Sequence, residues 1–198
     1  VVAGLYSLDQ LPIMRNMINA YLELGDLPNA HRLQEAMLQL QVRHFGSDAL
    51  EVVPALLEWA DWNVNLYLSN TDQKGTVLPN ISQRGKSTMD YANPYIQEAY
   101  TQYVAALMIM QEQPIAENRY LLATERKLAA VNFMVNQDMQ TRLGNMSPAF
   151  NDNSASGQND LVSERLQNFH FLNGSSALKR ALAYGYLSPK PDHDYIAA

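Results

Sequence analysis

Apolar residues recur at helical spacing along nearly the whole chain, and no stretch alternates apolar with polar residues as a half-buried strand does. That periodicity confines the chain to an all-α fold. Leu11, Met14, Met17, Ile18 and Tyr21 fall on one face of a first helix that begins near Ser7. Gly25 should end it, because a residue without a side chain accepts the left-handed conformation that follows many helices. Asp26 is placed to cap the next helix by accepting backbone N–H bonds, and Pro28 falls in its first turn, where a missing N–H costs little. The second helix carries Ala30, Leu33, Met37, Leu38 and Leu40 towards Phe45 and closes at Gly46 and Ser47.

A third helix is predicted from Ser47-Asp48 to about Leu68, with Trp59 and Trp62 on a second apolar flank. Apolar residues on two sides predict a helix packed between two neighbours. Residues 69–92 turn polar and read as a long connection. Asn93-Pro94 then reads as an N-cap followed by Pro at the first helical position, opening a helix to about Gln111. Pro114 begins another, through Leu121, Leu128 and Val131, to around Asp138. Residues 143–160 form a second polar connection. Shorter helices are expected over 161–172 and 175–187, separated by Asn173-Gly174, before an irregular tail.

Composition bounds the function. With 198 residues, 47% of them hydrophobic, the chain is long enough for one substantial core or several stacked repeats. A net charge of −6 offers no basic field for nucleic acid or anionic lipid. The longest apolar runs, such as residues 103–110, fall short of a membrane span. The absence of cysteine excludes disulfides, thiol nucleophiles and cysteine-ligated metal sites, but leaves the compartment open. A first residue of Val reads as a piece of a longer protein.

The residues around the first turn carry a resemblance. Met14 and Met17 as large apolar positions, Tyr21 as an aromatic, Gly25 at the turn and Ala30 in the second helix resemble a tetratricopeptide repeat, a helix–turn–helix unit of roughly 34 residues. Ile18 stands where the family has a small residue, Gln34 where an aromatic is common, and Asn63 where a Tyr is expected one unit on. The stretch from Gly4 to Asp26 looks like the repeat regions of large bacterial tetratricopeptide proteins. The resemblance implies antiparallel helical hairpins stacked as an α-solenoid with two long loops. Residues 1–46 form the first hairpin, 47–112 a second with an inserted loop at 69–92, and 114–198 further helices and an irregular tail. Irregular helical hairpins remain the alternative reading of the same pattern.

The resemblance also implies a non-catalytic interaction or scaffolding module that binds a protein or peptide segment in a helical groove, with no cofactor and no metal. Groove residues in that family come from the first helix of each pair, here Arg15, Asn19, Leu22 and Glu23, then Glu58, Asp61 and Asn65. Arg15 with Asn19 resembles the clamp that holds a peptide's terminal carboxylate. Glu58 stands where that clamp needs Asn and would repel such a ligand, so a mixed or cationic extended segment fits better. Plain solvated polar faces account for these residues equally. The alternative function is a structural spacer or dimerisation segment of a larger bacterial protein, self-associating through uncapped ends. The setting suits an exported, periplasmic protein or a cytoplasmic one.

Other motifs carry less. Gly85-Lys86-Ser87 matches part of a phosphate loop, but Asn80 stands where its first Gly is needed and the next helix starts too late. A basic surface loop accounts for it. His31, His44, His170 and His193 show no metal-ligand spacing, and Asp192-His193-Asp194 reads as solvated tail. Tyr91, Tyr95, Tyr100 and Tyr103 cluster, and core packing explains them better than a ligand platform. Asn80, Asn145 and Asn173 each start an Asn-x-Ser triplet of the kind chance supplies. An enzyme would need converging carboxylates, for instance Glu98, Glu117 and Glu125, and no motif supports one.

Overall fold

A computed structural model describes residues 7–70, 93–112, 118–146, 170 and 172–181. Among them every regular element is helical: α1 (Leu11–Glu23), α2 (Leu27–Phe45), α3 (Val53–Asn70), α4 (Pro94–Glu112) and α5 (Asn118–Met146), with α6 over 172–181. Short 3-10 turns, Leu8–Gln10 and Leu50–Val52, lead into α1 and α3. No helix among the described residues is long and apolar enough to cross a membrane.

The turn between α1 and α2 follows from its residues. Gly25 has φ +72°; its N–H donates to the Leu22 carbonyl at 3.1 Å, and the Asp26 N–H donates to Tyr21 at 2.8 Å. This pair of bonds satisfies carbonyls that the helix end leaves over. The Asp26 carboxylate then accepts from the Asn29 N–H at 3.3 Å, and Pro28 lies in the first turn of α2. The two helices are held by a small core of Ile18, Ala30 and Met37, flanked by Leu11, Met14, Tyr21 and Leu33. The departure at Ile18 is thereby explained: a large residue on α1 faces Ala30, fully buried on α2. Met17 does not join this face. It is 44% exposed, because the inward stripe runs Leu11, Met14, Ile18, Tyr21 and leaves position 17 about a quarter-turn away.

The main core lies between α3, α4 and α5. Val53, Leu56 and Trp59 meet Ile96, Tyr103, Leu107 and Met110, with Leu121, Leu128, Val131 and Val135 behind them. Ala60, Ala99 and Ala106 are fully buried and permit close helix approach. The tryptophans of α3 reach in different directions. Trp59 Nε1 donates to Glu98 on α4 at 2.8 Å, and Trp62 Nε1 donates to His31 on α2 at 2.9 Å. Helix α3 is thus packed between neighbours, as its two apolar flanks predict. Asn63, in place of the expected Tyr, is buried and turns its amide onto the Trp59 carbonyl at 2.8 Å.

Asn93 caps α4 as expected, its side chain accepting from Tyr95 N–H at 2.9 Å. Its own N–H donates to Asp138 near the far end of α5 at 2.9 Å, so α4 and α5 run antiparallel. Helix α5 extends to Met146, beyond the expected stop at Asp138 and into the predicted polar connection. Helix α3 likewise continues through Ser69 and Asn70. The remainder of both predicted loops, and the position of Pro114, lie outside the described residues, as do Gly85-Lys86-Ser87, Tyr91, Glu117 and the tail.

Asn173 and Gly174 do not separate two helices; both lie inside α6. A Cβ on Gly174 would stand 3.1 Å from the Phe133 ring and 3.3 Å from the Ala129 carbonyl of α5. Glycine serves here for close approach to α5, and the turn reading of the dipeptide is corrected. Gly174→Ala should be nearly neutral, because its gain in helix propensity of about 1 kcal/mol offsets tight contacts with the Phe133 ring and the Ala129 carbonyl. Gly174→Val should cost about 2 kcal/mol through overpacking. Urea midpoints of the two variants check the pair, and equal midpoints would contradict the α5–α6 contact.

Candidate functional site

One face of the molecule carries a cavity of about 930 Å³ between α1 and α3. Arg15, Asn19, Leu22, Glu58, Asp61 and Asn65 all line it. Helical spacing explains this convergence: Arg15, Asn19 and Leu22 form one stripe on α1, and Glu58, Asp61 and Asn65 form one on α3. Glu23 is exposed and does not line the cavity, since it lies one residue past Leu22 and points off the stripe. The floor adds Ile18, Gln34, Val53, Leu57, Trp62 and Met110, with Tyr120 of α5 at the rim.

The charges of the groove are already paired. Arg15 Nη2 meets Glu58 Oε2 at 3.0 Å. Lys127 Nζ, from α5, meets Asp61 Oδ2 at 2.5 Å, and the Tyr103 hydroxyl of α4 donates to the other Asp61 oxygen. Burial and this bond to a carboxylate hold the Tyr103 hydroxyl protonated well beyond the usual phenol range. Asp61 therefore ties α3 to α4 and α5 together. Asn19 and Asn65 remain exposed at the groove walls, and their carboxamides can both donate and accept.

Among the described residues, His31, Tyr95, Tyr100 and His170 make ring contacts. His31 is ringed by Trp59, Trp62 and Tyr95, the closest ring centroid, that of Trp59, standing 4.9 Å away. Burial lowers its proton affinity, against the attraction of Glu35 and Glu98. Tyr100 stands edge-on to His170, whose affinity burial also lowers. His44 is exposed against Phe45. Of the candidate catalytic carboxylates within the described residues, Glu98 accepts from Trp59 and Gln102 and Glu125 is clamped by Arg180. Among the described residues no group of three or more His, Asp or Glu side chains is arranged to hold a metal ion.

Sequence reasoning missed the floor of the groove. Gln34 and Trp62 carried a weak signal as polar or aromatic residues on otherwise accounted-for helices. Met110 and Tyr120 carried none, because only tertiary folding brings α4 and α5 to the groove. No protein-family model matches the chain, and the searches of curated proteins and of solved structures found no match either.

Proposed function

We propose that this chain is a tetratricopeptide-like, non-catalytic interaction module that holds an extended segment of a partner protein in the groove between α1 and α3. The observation that carries the reading is the convergence of Arg15, Asn19, Leu22, Glu58, Asp61 and Asn65 on one cavity. Alternation of the helices supports the repeat architecture. Arg15–Glu58 links α1 to α3 and Asp61–Lys127 links α3 to α5, while His31–Tyr95 links α2 to α4 on the other side.

Because Glu58 and Asp61 have their own cations, the groove suits a segment of mixed character rather than a strongly cationic one. Asn19 and Asn65 would meet its backbone amides and Leu22 its apolar side chains. A largely preformed groove orders only the partner, which limits the entropic cost of binding. Extended peptides selected on the purified protein from a displayed library should bind the Asn19→Ala, Leu22→Glu, Asn65→Ala variant about tenfold or more weakly, the equivalent of about 1.4 kcal/mol. These residues are exposed, so helicity by circular dichroism should stay unchanged. Equal binding by the variant would sink the groove.

A second reading, a spacer or self-associating segment, rests on the outer face of α1 and the residue just past its end, where Ile13 is 61%, Met17 44% and Leu24 79% exposed. A molar mass that rises with concentration in light scattering, in a protein that selects no peptide, would favour it.

A further inference from the structure

His31 has aromatic rings on several sides and one hydrogen bond that depends on its protonation state. Its Nδ1 accepts the Trp62 indole N–H at 2.9 Å. An imidazole nitrogen accepts only when it carries no proton, so the bond belongs to the neutral ring with hydrogen on Nε2. Protonation places an N–H on Nδ1 that faces the indole N–H, and two donors then confront each other.

Trp62 makes this local event consequential. It packs against the small core of α1 and α2 and also against the main core, and it lines the groove. We propose that His31 and Trp62 form a pH-sensitive latch: protonation of His31 removes the acceptor of Trp62, frees the indole, and loosens α1 and α2 from α3, widening the groove between α1 and α3. The latch requires no bound partner and is independent of what the groove holds.

The groups around the ring set the direction. Glu35, on α2 itself, and Glu98, on α4, both favour the imidazolium. Helix α3 presents the indoles of Trp59 and Trp62, and α4 also presents the edge of Tyr95. Indole faces attract a cation, yet burial outweighs all of these and holds the proton affinity below the ordinary value of 6.5. Between 6.5 and the lowered native value the unfolded chain binds more protons than the folded one. The contribution of His31 is therefore complete above 6.5 and is lost as pH falls through that window.

The chain reports on its own latch. It contains 2 tryptophans, and both lie against His31. Intrinsic fluorescence of the full chain should show a sigmoidal transition with a midpoint below 6.5. The transition should vanish in His31→Gln, whose amide oxygen still accepts from Trp62 but does not titrate, and persist in His170→Gln. The absence of cysteine allows nitroxide labels on Asn16→Cys and Asn65→Cys, one on α1 and one on α3. Their separation should lengthen and broaden through the same transition.

Trp62→Phe supplies a measurement that survives misfolding of the glutamine variant. It keeps an aromatic ring and removes the donated N–H, so the midpoint of His31 followed by NMR should rise by roughly half a unit. A fluorescence transition that persists in His31→Gln overturns the latch. So does a wild-type fluorescence that stays flat, an interlabel distance that does not move, or an unchanged His31 midpoint in Trp62→Phe.

Discussion

Trp59→Ala is expected to lower the unfolding free energy by about 4 kcal/mol, near the top of what a single core truncation does. Trp59 is 5% exposed within the main core, so its removal opens an indole-sized space that the packed surroundings fill only in part. Its N–H goes to Glu98 at 2.8 Å. Glu98 also accepts from Gln102 at 2.9 Å, so the carboxylate is not stranded and most of the loss comes from cavity and lost burial. Trp59→Phe should cost about half as much, because the ring fills part of the volume. Urea unfolding followed at 222 nm separates the two. A loss under about 1 kcal/mol for the alanine variant would contradict the packing of α3 on α4.

Arg180→Met is expected to cost about 3 kcal/mol, although Arg180 lies far from the groove. The Glu125 side chain is 0% exposed and the Arg180 side chain 48%. The guanidinium holds both carboxylate oxygens, Nε to Oε1 at 2.6 Å and Nη2 to Oε2 at 2.9 Å. Removing the cation leaves a buried carboxylate with its desolvation unmatched. Access of water on the arginine side places the effect at the lower end of the range for broken buried pairs. The double variant Glu125→Gln, Arg180→Met should regain most of the loss, because a neutral amide needs no cation there. If the double variant is no more stable than the single one, the ion pair is not what holds α6 to α5.

These contacts also show what was legible in the sequence. Gly25, Asp26, Pro28 and Asn93 were readable because each acts on backbone groups within a few residues of itself. The stripe Glu58–Asp61–Asn65 was readable because helical spacing aligns it, whereas Arg15, Asn19, Leu22 and Glu23 are singled out through the resemblance to a repeat family. Gly174 was misread for the opposite reason. A glycine that turns the chain and one that admits Phe133 look alike until α5 is in place. Glu58 was read as a carboxylate that would repel a peptide's terminal carboxylate, and its pairing with Arg15 was not legible because that residue sits on another helix. Nothing near Glu125 in the sequence marks it as buried, since its cation comes from 55 residues away.

The division into a small core around Ile18, Ala30 and Met37 and a much larger one between α3, α4 and α5 bears on how the molecule comes apart. Local opening draws first on regions with few buried apolar groups. The pair α1–α2, with fewer buried apolar groups, is therefore expected to open at lower free energy than the rest, held to the main core by Leu38 and Val42 of α2 and by Trp62. The groove is consequently bounded by one compliant wall and one stiff wall. On the proposed reading, a bound segment that needed more room would displace α1 and leave α3 in place.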